Sequence, residues 1–100
     1  MERPWKKFLD TVLKDDFEKL LKTYYEMRIL FQTNNVKNSD LEKGVGITSE
    51  GYRMRDKILN DLTHIVGTLR KYGLLENEQE FNDYLKQELL KIDLETPLKD

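Results

Sequence analysis

The sequence predicts an all-α protein, a compact bundle of three to four amphipathic helices. Three observations carry this. Apolar residues recur every three or four positions along most of the chain, which gathers them on one face of a helix. Helix-opening and helix-closing residues bracket those stretches. At 100 residues the chain is one domain, with room for three or four helices and little room for a deep cleft. A domain of this size buries only a bit over about 60% of its unfolded surface, so its core is modest.

The first element holds Trp5, Phe8, Leu9, Val12 and Leu13 at helical spacing, with Pro4 where a first-turn proline is tolerated. Phe17, Leu20, Leu21, Tyr24, Met27 and Phe31 continue the pattern. Their face is rotated by roughly a quarter turn from the first. Asp15 with Glu18 three residues on has the form of a capping box. A break or kink is therefore expected near Asp15–Asp16. Tyr25 and Ile29 fall outside the main stripe, one turn apart. Either another helix covers them or they form an exposed patch for a partner.

Residues 33–47 are rich in Asn and Gly and lack strong periodicity. They read as a loop, with one helical turn around Ser39–Lys43 opened by Ser39 and Glu42. The next helix starts at Thr48 or Ser49. Its inner face is Ile58, Leu62, Ile65, Val66, Leu69 and Tyr72, and Gly73 ends it as a left-handed cap. Asn77 then offers an N-cap with Glu80 at the box position. Phe81, Tyr84, Leu85, Leu89 and Ile92 form the last inner face. Acidic residues crowd its first turn and complement the helix dipole. The domain is placed at 1–95. Residues 96–100 read as a tail or linker, as in one module of a longer protein.

The net charge is −2, with charged residues at 36% of the chain. That mix fits a globular surface and argues against a generic nucleic-acid binder. The distribution is uneven. Residues 48–75 carry five basic and three acidic side chains, whereas residues 76–100 carry three basic and eight acidic. The two can pair internally or head to tail between molecules. There is no cysteine, hence no disulfide framework and no thiol chemistry. No apolar run approaches membrane-spanning length, and the first ten residues, MERPWKKFLD, lack a signal-peptide core. A soluble cytoplasmic protein with no membrane partner is expected.

The only surface shaped for a partner lies on the long third helix. Opposite its inner face come Arg53, Lys57, Asn60, His64, Gly67 and Lys71, spaced by four, three, four, three and four residues. They form one outward strip. Its cations, amide and imidazole can meet acidic groups or phosphates, and Gly67 lets another backbone come close. A merely solvated face is the alternative. Arg55 lies at the edge of the inner face, where it either snorkels or pairs with a carboxylate of another helix. His64 is the only histidine, too few ligands for a metal site. Adjacent pairs such as Asp15–Asp16 and Tyr24–Tyr25 do not face each other on a helix and make no catalytic dyad. Gly44, Gly46 and Gly51 lack a P-loop lysine–hydroxyl pair. No enzyme activity, cofactor, metal or small-molecule substrate is expected.

Two resemblances follow from the residues at the start of that helix. DLEKGVGITSEGYRMR resembles a helix-turn-helix, with Leu41, Val45, Gly46, Ile47 and Tyr52 at its apolar and turn positions. That resemblance implies Ser49, Arg53 and Lys57 in a DNA major groove. Gly46, Ile47, Thr48, Ser49 and Glu50, followed by Arg53, Arg55, Ile58, Leu59 and Leu62, are similar to bacterial effector-associated domains over roughly residues 15–70. Those are small death-like helical adaptors that recruit effectors through like-with-like contacts, often in defence systems. The leading expectation is a non-catalytic interaction module, homotypic or bound to an effector. The alternatives are a DNA-binding regulator and a small inhibitor docking on a larger enzyme.

Overall fold

Among the described residues there are five α-helices: α1 (Pro4–Thr11), α2 (Lys14–Thr33), α3 (Asn38–Lys43), α4 (Ser49–Lys71) and α5 (Glu78–Glu95). This computed structural model describes residues 3–100. Among them no strand forms, and a single β-bridge joins Lys37 to Lys99. The all-α class is as expected, but the count is five, because the first element breaks in two and the loop contains a helix of its own.

The break between α1 and α2 falls at Val12–Leu13, earlier than Asp15–Asp16. Leu13 N–H reaches back to Phe8 O at 3.1 Å, and this tight turn swings the buried Leu13 into the core. Val12 is thrown outward and is 65% exposed, contrary to the inner position its spacing suggested. Asp15 and Asp16 sit inside the first turn of α2 and make no cap bond. Their charge still complements the positive end of the helix.

α3 opens on Asp40, whose carboxylate accepts the Lys37 N–H at 3.0 Å, in place of the expected Ser39–Glu42 box. Gly44, at φ 70°, closes it. Thr48 caps α4 by accepting the Gly51 N–H at 3.2 Å, and Gly73 follows the helix at φ 67°. Asn77 caps α5 by accepting the Gln79 N–H at 3.0 Å. Tyr72 is not an inner residue. It occupies the C-cap with ψ 9°, so its side chain leaves the stripe and lies against Phe8, ring centroids 5.3 Å apart.

α2 is the central element and makes its widest contacts with α4, then with α5 and α1. The core draws Trp5, Leu9 and Leu13 from the N-terminal segment and Phe17, Leu20, Met27 and Phe31 from α2. Ile58, Ile65 and Leu69 come from α4, and Phe81 and Leu85 from α5. α4 runs antiparallel to α2: Gly51 meets Phe31, and His64 meets Asp16. α5 runs parallel to α2, since Tyr24 bonds Asp93, Arg28 bonds Thr96 and Gln32 bonds Pro97. Gly51 is what lets the first turn of α4 approach: a Cβ there would meet Ile47 Cγ2 at 2.9 Å and Phe31 Cε1 at 3.3 Å. The molecule measures 41 × 24 × 22 Å. Its radius of gyration of 14.8 Å exceeds the roughly 13 Å of a compact domain of this length.

Residues 96–100 are not a free tail. Thr96 is fully buried. The segment beyond it bonds to α2 and to the start of α3, through Gln32 and Asn38.

Candidate functional site: the outer strip of α4

Arg53, Lys57, Asn60, His64, Gly67 and Lys71 are all exposed on α4. Ile58, Ile65 and Leu69 are buried on the opposite side and anchor the helix against α2. At 1.5 Å of rise per residue the strip is about 27 Å long. Nothing lies within 4 Å of a Cβ built on Gly67, so that position is an open notch. Among the described residues no carboxylate lies within ion-pair distance of Arg53, Lys57 or Lys71. His64 differs: its Nε2 stands 3.8 Å from Asp16 Oδ2 of α2. Asp56, one turn from both Arg53 and Asn60, is exposed beside the strip, as is Glu50 one turn before Arg53.

Tyr25 and Ile29 are exposed as well, at 44% and 36%. α5 covers the neighbouring Tyr24 and Arg28 instead. Both point away from the core face of α2, as the strip points away from the core face of α4. Arg55 finds no carboxylate on another helix among the described residues. Its guanidinium lies 5.8 Å from the ring centroid of Tyr52, one turn back on α4. Ser49 is exposed beside Arg53 and Lys57. Behind it, α3, the 44–48 turn and α4 follow in helix-turn-helix order.

The most elaborate polar cluster was not among the sequence candidates. Arg28 is 6% exposed. Its Nε donates to Thr96 Oγ1 at 3.1 Å and lies 3.3 Å from Asp93 Oδ1, and its Nη2 donates to Thr96 O at 2.7 Å. Tyr24 OH donates to the same Asp93 oxygen at 2.7 Å. Burial first, then the hydrogen bond to Asp93, pushes the Tyr24 phenol well above its usual range. The signal for this cluster is a charged residue, Arg28, set among Tyr24, Met27 and Phe31 on the apolar stripe of α2.

A cavity of about 420 Å³ opens between α1 and α5, lined by Arg3, Trp5, Lys6, Glu80, Asp83, Tyr84 and Gln87. Its charges are largely matched. Arg3 Nε pairs with Glu80 at 2.7 Å, and Lys6 pairs with Asp10 while lying 5.1 Å from the Tyr84 ring centroid. Among the described residues no three His, Cys, Asp or Glu side chains gather. Among the described residues no helix is long and apolar enough to cross a membrane. Comparison with protein-family models, curated proteins and solved structures finds no match to this chain.

Proposed function

We propose that this chain is a non-catalytic protein–protein interaction module whose partner face is the outer strip of α4. The observation that carries the reading is the strip itself: exposed cations with no ion pair among the described residues, set along about 27 Å of helix around a glycine notch. An acidic helix laid alongside suits this shape. Its carboxylates meet Arg53, Lys57 and Lys71, and its backbone comes close at Gly67.

The chain's own last quarter is acidic, with eight acidic residues against three basic; Glu78, Glu80, Glu88 and Asp93 hold basic partners within the chain, and Glu76, Asp83, Glu95 and Asp100 make no ion pair among the described residues. The partner we put first is therefore a second copy, bound head to tail. A head-to-tail contact leaves a free strip at one end and a free acidic face at the other, so it propagates unless it closes into a ring. This fits a cytoplasmic adaptor that recruits an effector by like-with-like contacts, as the likeness to effector-associated domains implies. Arg53→Glu, Lys57→Glu and Lys71→Glu together should abolish association and leave far-UV helicity intact. Association unchanged by the triple reversal would remove the reading.

The order α3, turn, α4, with Ser49, Arg53 and Lys57 exposed, favours DNA as a second reading. Asp56 and Glu50 beside the strip work against it, since phosphates would face them. Duplex binding that weakens steeply with added salt would move the reading to DNA.

A further inference from the structure

Four successive carbonyls at the C-terminal end of the described chain each accept a hydrogen bond from α2 or α3. Thr96 O accepts from Arg28 Nη2 at 2.7 Å and Pro97 O from Gln32 Nε2 at 2.9 Å. Leu98 O accepts from Asn38 Nδ2 at 3.2 Å, and Lys99 O from the Asn38 N–H at 2.9 Å. Asn38 Nδ2 also donates to Asp100 Oδ1 at 2.9 Å. The donors come from α2 and α3 and read the segment's backbone, as a peptide-binding groove does.

The hold on this segment is uneven. Thr96 and Arg28 are buried, whereas Pro97, Lys99 and Asp100 are exposed and Leu98 is half-buried. A cavity of about 200 Å³ remains between the segment and the end of α2, lined by Gln32, Asn35, Val36, Pro97, Leu98 and Lys99. Residues 97–100 are thus held by polar bonds close to water and by the half-buried Leu98 against the core, which places them toward the low-stability end of the fold.

The same segment, together with Leu41 packed against the core, anchors α3. That helix contributes no fully buried residue, and Asn38, its first residue, holds three of the bonds. Contacts continue from α3 to α4. Val45 N–H bonds Asp40 O at 3.0 Å, and Tyr52 OH donates to Gly44 O at 3.1 Å, one residue before Arg53.

We propose that residues 97–100 are a releasable strap seated in a backbone-reading groove formed by Gln32 and Asn38, and that its release unlocks α3 and the 44–48 turn. Thr96, gripped by Arg28, is the fixed hinge. The strap is the groove's own occupant, so an extended peptide from elsewhere gains access only when the strap leaves. This does not depend on what binds α4.

Hydrogen exchange on two variants tests it. Gln32→Ala with Asn38→Ala removes the side-chain donors, and a chain ending at Thr96 removes the acceptors of residues 97–100 without touching α2 or α3. Each lost bond should speed exchange in residues 38–46 by about fivefold. Both variants should act alike, with exchange in the centre of α4 unchanged. Unchanged exchange in α3 would overturn the strap. So would a uniform rise across all helices, because the segment would then be part of one cooperative core.

Discussion

Gly51 and Gly67 sit on the same helix, and replacing each with Ala should move stability in opposite directions. At Gly67 the helix is regular, the position is exposed, and an added Cβ meets nothing within 4 Å. Only the conformational term remains, worth about 0.5–1 kcal/mol in favour of Ala inside a helix. For a domain of this length a shift of about 1 kcal/mol moves Tm by roughly 4–8 °C. Gly67→Ala should therefore raise Tm by a few degrees. At Gly51 the Cβ would fall 2.9 Å from Ile47 Cγ2 and 3.3 Å from Phe31 Cε1. The Ile47 methyl is branched at Cβ and cannot swing clear as the end of a long side chain would. Overpacking of that kind is worth about 1–3 kcal/mol against folding, more than the conformational gain. Gly51→Ala should lower Tm. Thermal and urea unfolding followed by far-UV circular dichroism measures both. A stabilised Gly51→Ala would contradict the packing of α4 on α2. A destabilised Gly67→Ala would mean that the notch is already filled. If a second backbone docks there, Gly67→Ala should also weaken association while the fold gains stability, a combination that a purely solvated face cannot produce.

Two further predictions concern the Arg28 cluster. Asp93→Ala removes a carboxylate shared by Arg28 and Tyr24 and should cost about 1.5–3 kcal/mol, the range for bonds to charged groups. Adding Arg28→Met should restore part of that loss, because it removes the stranded charge. A cycle of the two single variants and the double variant measures the coupling, and a coupling near zero would refute the bridge. Tyr24 gives a pH dependence. Its folded pKa is raised by burial and by Asp93, while the unfolded phenol ionises near about pH 10. The Tyr24 contribution is fully present below that pH and falls as pH rises toward the folded pKa, by up to about 1.4 kcal/mol per pH unit. Urea unfolding between pH 9 and 11.5 should show a shallower decline for Tyr24→Phe than for the parent; equal slopes would contradict the buried bond.

The helices were legible because their signals are local. Thr48, Gly73 and Asn77 stand where capping chemistry puts them, and Ile58, Ile65 and Leu69 repeat at the helical period. The outward course of the α4 strip follows from the same geometry. Other features depend on partners distant in sequence. Val12 fits the apolar stripe by spacing, but the turn that buries Leu13 expels it. Asp15 and Glu18 look like a capping box, yet the helix breaks earlier, at Val12–Leu13, where the turn buries Leu13 in the core. Residues 96–100 resemble a loose end because main-chain carbonyls hold them, and carbonyls leave no mark in a side-chain pattern. Arg28 was the one visible hint, a guanidinium on an apolar face that requires buried acceptors.

The interface on α4 is tested most directly by solution mass from light scattering, across a concentration series, for the parent chain and for the chain with Arg53, Lys57 and Lys71 changed to Glu. Exposed ion pairs are worth about 0.2–1 kcal/mol each, and reversal replaces each attraction with a repulsion, so the triple variant should associate at least roughly tenfold more weakly. The proposed interface predicts a parent whose mass rises with concentration and falls with added salt, and a variant that stays monomeric with the same helicity. A parent that is monomeric throughout, or a variant whose mass rises in step with it, would contradict the head-to-tail contact through α4.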